Sequence, residues 1–92
     1  MEMKQARIIV SGKVQGVFFR AFAKQKAGKF CVTGWIRNRS DGDVEILVQG
    51  SKENIEKFAR ACKIGPLMAK VSGLKIDWES LEEECGYFDI RY

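Results

Sequence analysis

The spacing of apolar residues changes period several times along this chain, and each change narrows the folds open to it. Arg7-Ile8-Ile9-Val10 is a β-branched run, apolar on both faces, which predicts an interior strand continuing toward Val14. From about Phe18 to Lys29 the spacing lengthens. Phe18 and Phe22, then Phe19, Ala23 and Ala27, recur every fourth residue, which predicts a helix with a two-row apolar face stopping near Gly28. Phe30 to Asn38 alternates, with Phe30, Val32, Gly34 and Ile36 on one side. Val44, Ile46 and Val48 alternate again, with Asp43, Glu45 and Gln49 expected outward. The Asp41-Gly42 pair between these two runs is a strong hairpin signal, because glycine accepts the positive φ such turns need.

Ser51 then offers an N-cap and Glu53 suits the positive end of a helix dipole. Ile55, Phe58, Ala59 and Cys62 form one stripe at i, i+3, i+4 and i+7, ended by Gly65-Pro66. Val71, Leu74, Ile76 and Trp78 fit a strand with a register break near Gly73, and Phe88, Ile90 and Tyr92 fit a last short strand. The order is βαββαβ plus a short strand. Two helices on one face of an antiparallel sheet bury both stripes most simply, so the expected fold is α+β, a ferredoxin-like sandwich. Ninety-two residues make one domain, 1–92.

The residue inventory excludes much chemistry. The chain has no histidine, which removes Ser-His-Asp and Cys-His catalysis, His-ligated zinc and a histidine general base. Cys31, Cys62 and Cys85 are widely spaced, with no CxxC pattern and no evident disulfide framework. Sixteen basic and twelve acidic residues give a net charge of +4, a mild excess that suits a small anion without any dense basic run. No run reaches the roughly 18 apolar residues a membrane span needs, and residues 1–5 carry no apolar signal core. A soluble, cytoplasmic monomer is expected, with no membrane partner.

Two segments could carry chemistry. In Gly12-Lys13-Val14-Gln15-Gly16-Val17-Phe18-Phe19-Arg20 a strand ends, a glycine-bracketed loop follows and a helix begins. Backbone N–H groups at such a junction can converge on an anion, helped by the positive helix end. Spacing alone favours, by a small margin, the plainer reading of a tight connection. Arg20 shifts the balance, because a cation in a first helical turn opposes the dipole. Its fork of donors could grip phosphoryl oxygens. In the second segment, Gly34 to Gly42, Asn38 sits at the mouth of the hairpin. Its amide could hold a water without ionising, although an asparagine before a turn is usually a turn residue.

Together these segments resemble the signatures of the acylphosphatase family. Gly12 to Arg20 is similar to its first motif and Gly34 to Glu45 to its second. Gly65-Pro66 with Ala69 and Val71, and Phe88 to Tyr92, are similar to the family as well, so the likeness runs from about Arg7 to the C-terminus. The resemblance implies a βαββαβ sandwich that hydrolyses the carboxyl-phosphate bond of acyl phosphates. It implies that Arg20 binds the phosphoryl group, that Asn38 orients the attacking water, and that the backbone amides of Gln15, Gly16, Val17, Phe18, Phe19 and Arg20 cradle phosphate. The expected partners are a small acyl phosphate and inorganic phosphate or similar anions, with no cofactor and no metal. An arginine, an amide array and an asparagine can stabilise charge but hardly shuttle protons. That limitation suits an acyl phosphate, whose leaving carboxylate has a conjugate acid of pKa roughly 4 and needs no general acid.

Rival readings carry less. Cys31 to Arg37 matches the Cys-x5-Arg spacing of tyrosine-phosphatase loops, but the intervening residues read as a strand, which would separate the two by roughly 20 Å. Trp35, Trp78 and Tyr87 could be platforms for single-stranded RNA, yet no matching aromatic motif accompanies them and nucleic acid is not expected as a partner. Glu82-Glu83-Glu84 reads as a solvated acidic turn, and Asp41 to Glu45 lacks a calcium-loop pattern.

Overall fold

A computed structural model describes residues 2–92. Its elements in chain order are β1 (Lys4–Lys13), α1 (Phe19–Lys29), β2 (Thr33–Asn38), β3 (Val44–Gly50), α2 (Lys52–Ile64), β4 (Lys70–Glu79) and β5 (Phe88–Arg91). The sheet order is β4-β1-β3-β2-β5. The apolar run of β1 thus lies between two neighbours, both antiparallel to it. The expected antiparallel sheet is corrected at one edge, where β5 pairs parallel with β2 and makes the whole sheet mixed.

Strand parity decides which residues meet the helices. Ala6, Ile8 and Val10 of β1 lie opposite Val48, Ile46 and Val44 of β3, and all six are fully buried. Ile36 joins them from β2. Onto this layer α2 sets Ile55, Phe58, Ala59 and Cys62, the whole predicted stripe. The Ser51 hydroxyl accepts from the Asn54 N–H at 3.1 Å, capping the helix, and Gly65 ends it at φ 72°. Phe58 also meets Phe88 at 5.8 Å between ring centroids, which fastens β5 to the core.

α1 is narrower than its sequence pattern. Only the row Phe19, Ala23 and Ala27 is buried. Phe18 is not in the helix: it is the N-cap, left-handed at φ 63°, and its ring points outward. β2 likewise begins at Thr33, not Phe30, because Cys31 turns left-handed at φ 56° and delays the extended chain. Within β2, Gly34 lies so close to β3 that an added Cβ would stand 1.9 Å from the Leu47 carbonyl oxygen. The break near Gly73 is a bulge, with Ser11 opposite Gly73 and Gly12 opposite Val71.

The opposite face of the sheet is closed by polar groups. Glu45 and Gln49 point away from the helices as expected, but they are not solvated: Glu45 is 5% exposed and Gln49 1%. Glu45 accepts from Arg7 and, at 2.7 and 2.9 Å, from Arg37. Arg7 also donates to Glu79 at 2.7 Å. Gln49 donates to Gln5 Oε1 and to the Glu83 carbonyl, and accepts from the Cys85 N–H at 2.8 Å, so the segment before β5 is tied down through one buried amide.

Burial pushes the Glu45 carboxyl up, but hydrogen bonds from Arg37 and Arg7 outweigh it and hold it below its ordinary 4.5. The Arg7 hydrogen bond does the same for Glu79. Both carboxyls therefore bind protons less readily folded than unfolded. Their stabilisation is complete above about pH 4.5 and is lost as pH falls through the lowered folded values. Arg7→Met should lower stability by about 2 kcal/mol at neutral pH. In urea titrations the gap from wild type should close as the pH is brought below about 4.

Candidate active site

β1 ends at Lys13, and the loop to α1 is anchored from beneath by buried Val14 and Val17. Between them Gly16 is left-handed at φ 72°, and Phe18 repeats that conformation at φ 63°. Left-handed residues in a tight turn let successive N–H groups face one concave side. The first N–H groups of α1 have no partner within the helix, and Phe18 supplies no side-chain cap. The loop thus opens a donor-rich helix end toward solvent.

A cleft of about 280 Å³ lies over that end, lined by Gly16, Phe18, Arg20, Asn38, Ile90 and Tyr92 among others. Arg20 and Asn38, eighteen positions apart in sequence, share it. The Arg20 guanidinium stacks on the Tyr92 ring, 4.8 Å from its centroid. Asn38 closes β2 opposite Val44. Its Oδ1 is buried and has no hydrogen-bond partner among the described residues. A buried, unpaired acceptor is costly unless something outside the chain supplies a donor.

Of the loop residues expected to cradle phosphate, Gly16, Phe18, Phe19 and Arg20 line the cleft. The Val17 side chain goes into the core. The Gln15 side chain leaves the cleft altogether and crosses to the hairpin, where its Nε2 donates to the carbonyls of Arg39 at 2.8 Å and Asp43 at 2.9 Å. Those carbonyls flank the Asp41-Gly42 turn, in which the Arg39 N–H donates to the Asp43 carbonyl at 2.8 Å. One amide thereby fastens the loop to the hairpin that carries Asn38. The sequence motif points to the Gln15 backbone alone, not to this side-chain link. Ile90 and Tyr92 also wall the cleft, and the only sequence signal for them is the family-like terminal segment.

The rival sites are not assembled. Cys31 follows the C-terminal end of α1, and Arg37 lies on the far face of β2, paired with Glu45. Trp35 and Trp78 lie on opposite faces of the sheet, since Trp78 is opposite buried Ala6 and Trp35 is opposite Leu47. Trp35 is occupied by the guanidinium of Arg91 at 4.8 Å and those of Arg7 and Arg37 at 5.7 and 5.8 Å. Burial pushes the Cys62 thiol up to about 12, so it is no thiolate at neutral pH. No three His, Cys, Asp or Glu residues are grouped to hold a metal among the described residues, and no described helix is long and apolar enough to cross a membrane.

The α+β sandwich brings a helix N-terminus, Arg20 and a buried amide to one cleft, and comparison with known proteins makes this a hydrolase of a defined class. The model of the acylphosphatase family matches residues 6–90. An acylphosphatase from Pelotomaculum thermopropionicum is 44% identical over 92 residues, spanning all of both chains. One from Bacillus licheniformis is 45% identical, over 98% of this chain and all of its own length. The crystal structure of acylphosphatase from Bacillus subtilis superposes with a TM-score of 0.93 at 40% identity, covering 97% of this chain and 99% of that one. The chain belongs to the acylphosphatase family, enzymes that hydrolyse acyl phosphates to a carboxylate and phosphate.

The Gln15 link sets an expectation of its own. Gln15→Leu removes two hydrogen bonds between loop and hairpin, and should lower the stability measured by urea unfolding by about 1–2 kcal/mol. It should also lower the hydrolysis rate more than an exposed substitution such as Lys24→Ala, because the loop and Asn38 then move independently.

Proposed function

We propose that the phosphoryl group of the substrate sits against the N-terminal end of α1, held by Arg20 and by the backbone amides of Gln15 to Arg20. Asn38 holds the attacking water, its Oδ1 accepting a hydrogen bond from the water and so turning a lone pair of the water oxygen toward phosphorus. The observation that carries this reading is the buried Asn38 Oδ1, unpartnered among the described residues, in the same cleft as Arg20. As water oxygen bonds to phosphorus, the bond from phosphorus to the acyl oxygen breaks and its electron pair leaves with the carboxylate. A dianionic acyl phosphate becomes a carboxylate and dihydrogen phosphate, with both water protons ending on phosphate. Bond breaking runs ahead in such a transition state, so fixed donors on the equatorial oxygens matter more than a strong base.

Inorganic phosphate would occupy the same cradle and compete with substrate. All the groups named come from one chain, which suits a monomer. The free cysteines Cys31, Cys62 and Cys85 suit the reducing cytoplasm.

Benzoyl phosphate hydrolysis tests the assignment. Arg20→Ala should lower kcat by about 10²–10³-fold and abolish competition by phosphate. Asn38→Ala should lose a comparable factor in kcat while phosphate still competes. Full activity in either folded variant would sink the role given to that residue. With no histidine in the chain, kcat should be nearly flat between about pH 5.5 and 7.5. Exhaustive chelation should leave it intact, and a rate that fell and returned with added metal would contradict the mechanism.

A further inference from the structure

Phe18 breaks two local rules at once. Its backbone is left-handed at φ 63° and ψ 24°, a conformation that bulky L residues avoid and that glycine or asparagine adopts readily. Its ring is 77% exposed, contributing nothing to the core. The fold asks only for the backbone conformation, so the aromatic ring needs another reason, and its location offers one: Phe18 stands on the rim of the cleft that holds Arg20 and Asn38.

The direction of attack says what meets that rim. Asn38 lines that cleft and its Oδ1 is buried, shielded from the open side. In-line displacement puts the leaving group opposite the attacking water. A water held by Asn38 therefore drives the acyl group outward, toward the open side. There it meets Phe18 and Tyr92, 98% exposed and stacked beneath Arg20, with the side chain of Ile90 beside them. These three side chains are apolar or aromatic, and the Arg20 cation beside Tyr92 is committed to the phosphoryl group in the assignment above.

Resting on the site assignment above, we propose that Phe18 is a specificity-determining residue that packs against the acyl part of the substrate. The preferred substrates are then acyl phosphates with an aryl or extended apolar acyl group, over small ones such as acetyl phosphate. Ring-on-ring contact strengthens binding of the aryl substrate in the transition state, because the acyl group remains against the rim as the bond to phosphorus lengthens.

The test compares kcat/KM for benzoyl phosphate and acetyl phosphate in wild type, Phe18→Gly, Phe18→Asn and Phe18→Tyr, with thermal unfolding to confirm the fold. Glycine and asparagine both accept the left-handed backbone but lack the ring. Both variants should lower the ratio of kcat/KM for benzoyl phosphate to that for acetyl phosphate by about five- to tenfold, a ratio in which any change in the loop's grip on the phosphoryl group cancels. Phe18→Tyr should keep the preference. Equal losses on the two substrates, or no loss on either, would overturn the proposal. Arg20→Ala, run alongside, separates the failures. If it stays active, the site assignment itself is wrong; if it is inactive while Phe18→Gly is unselective, only the role of Phe18 falls.

Discussion

Everything in this molecule depends on the antiparallel pairing of β1 with β3. That pairing puts Val10 opposite Val44 and points the end of β1 toward the start of β3. Since β2 is also antiparallel to β3, β1 and β2 run the same way and finish at the same edge of the sheet. The parallel strand β5 finishes there too. The loop after β1, Asn38 at the end of β2, and Ile90 and Tyr92 at the end of β5 therefore gather at one edge without any long excursion of the chain. The same register sends the even-numbered residues of β1 and β3 into the core, so one set of backbone hydrogen bonds sets both the packing and the location of the cleft.

The site needs few parts because the reaction demands few. In the mechanism proposed above a carboxylate leaves without protonation, so the site is asked for geometry and positive potential rather than for a titrating group. Geometry is then the costly requirement, and contacts from several directions serve it. Val14 and Val17 hold the loop from below, Gln15 holds it sideways to the hairpin, and the Tyr92 ring holds the Arg20 guanidinium. A side chain outside the cleft lining, Gln15, ties the loop to the hairpin that carries Asn38.

Much of this was readable in the residues, and what was not has physical causes. Alternation and helical spacing are local, so β3, the α2 stripe, the Ser51 cap and the Asp41-Gly42 turn follow from the sequence directly. The two motifs led to Arg20 and Asn38, and the structure brings those residues into one cleft. Phe18 misled because periodicity counts any apolar residue as core, while its left-handed backbone turns it out of the helix. Glu45 and Gln49 face outward as their alternation implies, but their burial on that face is not legible locally because it depends on Arg7 and on the segment near Glu83, both far away in sequence. The Gln15 link and the parallel placement of β5 were hidden for the same reason: each is a contact between segments that no window of sequence spans.

That last feature has a consequence for how the enzyme comes into being. β5 completes the edge of the sheet beside β2, and its far end walls the cleft against a residue from the first quarter of the chain. While the protein is being synthesised, the loop, both helices and four strands can form outside the ribosome with the cleft still open on one side. Only when residues 88–92 have cleared the exit tunnel can Tyr92 reach Arg20. Local order precedes the finished cleft, because the strand that completes its wall is made after both helices and the other four strands.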